Sequence, residues 1–130
     1  MIGLDTTALI DLFRGDKKIG DLLLRIDEEI ILNHLIYLEL MFGLDLKDAK
    51  HKDEEKFYND IFSSYKVLNL SFKASKKSSE ILKELKSSGK TAGFLDCSIA
   101  GIYISNNITK IITKNRKHFE NIKGLKIISY

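Results

Sequence analysis

Asp5, Glu39 and Asp96 are the residues of this 130-residue chain whose surroundings point to chemistry. Asp5 follows the apolar run Met1–Leu4 and precedes a helix-length segment, with the hydroxyls of Thr6 and Thr7 directly beside it. An aspartate there also suits an ordinary helix N-cap. Glu39 lies in the apolar run Leu35–Phe42, and its neighbours one turn away are Leu35, Ile36, Phe42 and Gly43, none of them a charge partner. Glutamates are rarely buried unpaired, so this one is expected to face a polar pocket, a cation or a gap to solvent. Asp96 opens a helical segment after Leu95 and three residues before Ile99, which predicts that it faces away from the apolar stripe. The helix dipole also favours an acid in a first turn. Ser98 is either its hydrogen-bonding neighbour or a plain surface residue. Three acids from three separated segments suit a hard divalent cation such as Mg²⁺ or Mn²⁺, which takes oxygen ligands and keeps waters and a substrate phosphate. The cation relieves the repulsion that crowded carboxylates create.

Elements able to position these acids follow from the hydrophobic pattern. Met1–Asp5, Glu29–Leu32, Lys66–Leu70, Lys110–Thr113 and Leu125–Ser129 are short, Ile/Leu/Val-rich runs that read as strands. Between them lie helix-length segments at Thr6–Phe13, Ile19–Ile26, Leu35–Leu46, Asp53–Ser63, Phe72–Ser88 and Phe94–Ser105, with a short helical turn at Asn115–Glu120. Strand–helix alternation predicts an α/β fold, a mostly parallel sheet of about five strands between two helical layers. Ligands of open parallel sheets bind beyond the carboxyl ends of the strands, which directs attention to Asp5, Asn33, Leu70 and Thr113. The Leu35–Leu46 segment is apolar nearly all round and is expected to be buried on most faces or used in a homodimer.

Composition bounds the function classes. The length suits a single domain over residues 1–130, and the chain has no proline. A net charge of +3 hides an asymmetry: residues 1–65 hold 8 Lys and Arg against 14 Asp and Glu, whereas residues 66–130 hold 13 against 4. A basic half beside an acidic site permits a phosphate-backbone partner, although lysine-rich solvated helices give the same balance. No basic leader precedes the first strand, and the longest apolar run is about twelve residues, short of the roughly twenty of a membrane span. The single cysteine, Cys97, excludes an internal disulfide and reads as a small buried apolar residue. The expected location is the cytoplasm. No Gly-x-Gly-x-x-Gly or phosphate-loop motif follows a strand. His34, His51 and His118 show no zinc-ligand spacing. Thr7 stands where a haloacid-dehalogenase-type phosphatase needs its second aspartate.

Four segments then resemble the motifs of PIN domains, especially the VapC-type toxins of toxin–antitoxin pairs: Leu4–Leu12, Tyr37–Gly43, Asp96–Gly101 and Thr113–Glu120, the last followed by Gly124 and Leu125. The resemblance spans the whole chain in the family's order. It implies a Mg²⁺- or Mn²⁺-dependent endoribonuclease of PIN-like α/β/α fold, with Asp5, Glu39 and Asp96 as the core acids and products bearing 5′-phosphate and 3′-hydroxyl ends. Metal on Asp5 and Asp96, with Glu39 as a further ligand or water-orienting group, would activate water. Thr6, Ser98, Thr113 and Asn115 are the expected supporting residues. Lys114, Arg116 and Lys117 are expected to hold the RNA backbone, with Arg14 a further candidate. Asn115 stands where many members carry a fourth acid and His118 where some carry Asp, which implies one tight metal and a second recruited with substrate. Asn33 and Ile36 replace expected hydroxyl residues before the Glu motif.

The leading expectation is a toxin neutralised by a small antitoxin whose tail occupies the acidic cleft, an arginine pairing with Glu39 or Asp96. The alternatives are a housekeeping RNA-processing nuclease and, because of Asn115 and His118, an inactive PIN-like RNA- or protein-binding module.

Overall fold

The computed structural model describes residues 1–130, and its elements follow the hydrophobic pattern closely. In chain order they are β1 (Ile2–Leu4), α1 (Thr6–Phe13), α2 (Lys17–Arg25), β2 (Ile30–Asn33), α3 (His34–Phe42), a 3₁₀ turn at Ala49–His51, α4 (Lys52–Ser64), β3 (Lys66–Leu68), α5 (Phe72–Ser87), α6 (Phe94–Ser105), β4 (Lys110–Ile112), α7 (Arg116–Phe119) and β5 (Lys126–Ile128). The strands form one sheet in the order β3-β2-β1-β4-β5, and every neighbouring pair is parallel. A parallel sheet buried on both faces tolerates only apolar strands. Ile2, Gly3 and Leu4 of β1 are accordingly all buried, as are Ile31, Leu32, Ile111 and Ile112 on the flanking strands.

The chain leaves β1 toward β2 and β3 on one side, and β4 and β5 are added on the other. The order therefore reverses between β1 and β4. Their carboxyl ends border the crevice in which open α/β sheets bind ligands. The backbone N–H of Asp5 donates to the Ile112 carbonyl at 3.0 Å and closes the two strands together at that edge.

Helix α6 is docked on the sheet by Tyr103. A Cβ added to Gly3 would lie 2.5 Å from the Tyr103 ring, so only a glycine lets the ring lie flat over β1. The Tyr103 hydroxyl donates to the Leu4 carbonyl at 2.6 Å and lies 3.2 Å from that of Ile31. On its other side α6 meets α5 closely: a Cβ on Gly101 would fall 2.9 Å from Ser78 Cα and 2.0 Å from its hydroxyl. Packed between sheet and α5, α6 is buried without interruption from Cys97 to Tyr103.

Two expectations are corrected here. Asp96 does not face away from the apolar residues of α6: no single stripe exists, and Asp96 lies on the face of Ile99 and Tyr103, three and seven residues on, with its side chain 17% exposed. Helix α3 is not buried on most faces. It stops at Phe42, and only Ile36 and Leu40 are buried, while Leu38 and Phe42 are 57% and 90% exposed. Leu35 and Met41 pack partly buried against the core, and Leu38 and Phe42 are left to solvent.

Candidate active site

The edge at which β1 and β4 end gathers the acids. Asp5 is 3% exposed and stands at the N-cap position of α1, yet its side chain makes no capping bond. Its Oδ2 instead accepts the hydroxyls of Thr113 at 2.8 Å and Thr7 at 3.1 Å. The ordinary capping role is thus vacated, and the carboxylate is held by hydroxyls from two elements. Both hydroxyls are fixed in turn. Thr7 Oγ1 accepts the backbone N–H of Lys114 at 3.1 Å, and Thr113 Oγ1 accepts that of Asn115 at 3.0 Å. The loop after β4 is thereby bound to α1.

Glu39 reaches the same edge from α3, where its Oε2 accepts the Thr6 hydroxyl at 2.5 Å. Asn33 ends β2 and caps α3, its Oδ1 accepting the N–H groups of Leu35 and Ile36. Its Nδ2 is buried with no hydrogen-bond partner. Asp96 enters from the first turn of α6 with Oδ2 at 3.1 Å from His118 Nδ1. Burial raises the Asp96 carboxyl above its usual range; His118 opposes the rise, and the charges of Asp5 and Glu39 add to it. Three acids from three elements therefore share one electrostatic field.

This donor set is all carboxylate and hydroxyl oxygen beside one imidazole, the chemistry of a hard cation. No three His, Cys, Asp or Glu side chains are gathered closely enough to cage an ion by themselves. The arrangement fits a divalent ion that keeps part of its hydration and takes further oxygens from a phosphate, as Mg²⁺ commonly does. Asp5, Asp96 and Glu39 would hold it.

The supporting residues divide. Thr6 and Thr113 bond the acids directly, and Thr7 joins them. Two adjacent threonines after an aspartate were visible in the sequence, but not which would turn inward. Asn115 is exposed, and its backbone rather than its side chain meets Thr113. Ser98 does not reach Asp96: it is buried, and its hydroxyl donates to the Phe94 carbonyl one turn back. Of the basic residues, Lys114 pairs with Asp11 at 3.3 Å and Arg116 with Glu120 at 3.8 Å. Lys117 lines an open cleft of about 410 Å³ with Thr91, Ala92, Gly93, Asp96 and His118. Arg14 caps the far end of α1, roughly 13 Å of helix from Asp5 at about 1.5 Å per residue.

Comparisons with known proteins agree with this architecture. The family model described as PIN domain matches residues 2–125. No curated protein matches the sequence at a significant level. Among solved structures, VapBC2 from Rickettsia felis bound to a DNA fragment from their promoter aligns with a TM-score of 0.86 at 22% identity, covering 100% of this chain and 99% of the other. DNA-bound VapBC from Salmonella typhimurium gives 0.84 at 22%, covering 98% and 96%. FitAcB from Neisseria gonorrhoeae gives 0.82 at 20%, covering 100% and 96%.

Proposed function

The chain belongs to the PIN-domain family, and on that premise we propose that it is a Mg²⁺- or Mn²⁺-dependent endoribonuclease, a single nuclease domain acting in the cytoplasm as the toxin of a toxin–antitoxin pair. The observation that carries the reading is the convergence of Asp5, Glu39 and Asp96 on the sheet edge at the strand-order reversal, where the charges of Asp5 and Glu39 both act on the Asp96 carboxyl.

A divalent cation bound there supplies charge for the phosphate in the transition state and acidity for a water. The chain's own residues set the geometry. Thr7 and Thr113 hold Asp5 in one orientation, and Thr6 fixes Glu39. Asp5 and Asp96 would hold the cation, and Glu39 would be a further ligand or the group that orients the attacking water. Lys117 lines the Asp96 cleft, where it would meet a non-bridging phosphate oxygen of the substrate. Hydrolysis then leaves a 5′-phosphate and a 3′-hydroxyl.

Surface chemistry supports the partners. The related structures are, by their descriptions, toxin–antitoxin or DNA-bound VapBC assemblies. On this chain Leu24, Phe42, Phe72 and Phe94 are at least 76% exposed, apolar side chains of the kind that an antitoxin or a second copy of the chain would cover.

Purified protein incubated with structured and single-stranded RNA in Mg²⁺, Mn²⁺ or EDTA, beside Asp96→Asn, tests the activity. Metal-dependent cleavage lost in the variant is expected. No cleavage by folded wild-type protein that nevertheless binds RNA would move the assignment to an inactive binding module. Growth arrest on expression of the toxin alone is the further expectation, and a tolerated protein with full nuclease activity would instead indicate an RNA-processing enzyme.

A further inference from the structure

The loop joining α5 to α6 separates two clefts that share a wall. One is the Asp96 cleft, bordered by Thr91, Ala92, Gly93 and Lys117. The other, about 340 Å³, is lined by Lys83, Lys86 and Lys90 over Leu82, Leu85 and Ala92, with Thr91 at its end. Thr91 and Ala92 line both, so the two clefts adjoin across this loop and mark out a path toward Asp96. We propose that this path carries the RNA strand on one side of the scissile phosphate, with Lys86 and Lys90 as its phosphate contacts. The inference rests on the nuclease reading above and adds to it where the substrate runs.

Three features of the path favour a polyanion over a merely solvated helix face. The first is charge. Of the other lysines near α5, Lys77 lies 3.8 Å from Glu80 and Lys123 2.7 Å from Glu84, and Lys73 and Lys76 share their cleft with Glu80. Lys83, Lys86, Lys90 and Lys117 have no acid within ion-pair distance, and the only carboxylate in either cleft wall is Asp96 at its end. The second is rigidity. Gly89 adopts φ +69°, and the N–H groups of Gly89 and Lys90 donate to the carbonyls of Lys86 and Leu85. That double closure is a Schellman-type cap, which fixes Lys90 beside the last turn of α5 instead of leaving it on a loose loop. The third is shape and lining. A rim of ammonium groups above Leu82, Leu85 and Ala92 offers phosphates their contacts and gives ribose and base faces an apolar floor. The side chains of that floor are aliphatic, so the grip is tolerant of sequence.

The test uses full-length protein and a fluorescein-labelled, random-sequence single-stranded RNA of thirty nucleotides. Binding is measured in EDTA between 50 and 200 mM KCl, and cleavage in Mg²⁺. Lys86→Gln with Lys90→Gln is expected to weaken binding by about tenfold or more and to flatten the slope of log K against log salt by roughly 1.4, at about 0.7 per lost phosphate contact on a single strand. KM for cleavage should rise while kcat holds, because neither lysine touches the reacting atoms. The control is Lys73→Gln with Lys76→Gln, which removes the same charge from the opposite end of α5 and should change neither. Equal weakening by both pairs, or cleavage by wild type that the Lys86/Lys90 pair leaves untouched, overturns the proposed path while the nuclease stands. A folded wild type that neither binds nor cleaves RNA overturns both.

Discussion

Thr113 donates its hydroxyl to Asp5 Oδ2 at 2.8 Å across the point where the strand order reverses. The bond joins residues 108 apart in the chain, and both are buried. It orients the first acid of the site, and it is one of two hydroxyl bonds on the same oxygen.

Removing that hydroxyl while keeping the shape is informative. Thr113→Val is expected to lower cleavage by about 10- to 100-fold, the usual cost of losing a group that orients a metal-binding carboxylate. It should also cost about 1–3 kcal/mol of stability, since the buried carboxylate and the Asn115 N–H both lose a partner. Thr113→Ser should retain most of both. Metal titrations of the cleavage rate and urea unfolding of the three proteins check it.

Asp96 should trade stability for function. Its folded carboxyl is raised, first by burial and then by Asp5 and Glu39. The charged form is therefore disfavoured in the folded chain. Below about pH 4, the ordinary carboxyl range, the acid is protonated in both states and carries no penalty. As pH rises through the raised folded value, the folded chain must either hold the proton or tolerate the charge, and stability falls. Asp96→Asn is accordingly expected to melt higher than wild type in EDTA at pH 7 and to converge on it as the pH falls below about 4. Mg²⁺ should narrow or reverse the difference at pH 7, because only wild type keeps the full ligand set. A variant that melts lower than wild type in EDTA at neutral pH would contradict this.

Gly101 is demanded by the α5–α6 contact. Gly101→Ala places its methyl against Ser78 Cα as well as the hydroxyl, so the helices must separate. Overpacking of this kind costs about 1–3 kcal/mol. Adding Ser78→Ala should not restore the loss, because the clash is with backbone. Chemical denaturation of the single and double variants gives the answer.

The exposed apolar residues of α3 make the dimer testable. Leu38 and Phe42 lie one turn apart on the same side and are both exposed. Leu38→Lys with Phe42→Lys is expected to yield a folded monomer where wild type sediments as a dimer at micromolar concentration. Wild type sedimenting as a monomer would sink the dimer.

Local patterning made much of this protein legible. Runs such as Ile30–Leu32 and Ile111–Ile112 are apolar on both faces and too short for helices, so strands of a covered parallel sheet follow from their composition alone. Glu39 stood out because an unpaired acid in an apolar helix has few explanations, and its one close partner, Thr6, lies 33 residues away. What the sequence could not express is relation across the sheet. Strand order depends on pairings far apart in the chain, and only that order puts the ends of β1 and β4 side by side and brings Thr113 onto the Asp5 oxygen that Thr7 holds locally. Periodicity likewise predicted an outward Asp96, because it describes a helix with one buried face, whereas α6 is enclosed by the sheet and α5 together. Side-chain identity and local hydrogen bonding wrote the elements and the acids into the sequence; packing among elements decided which atoms meet.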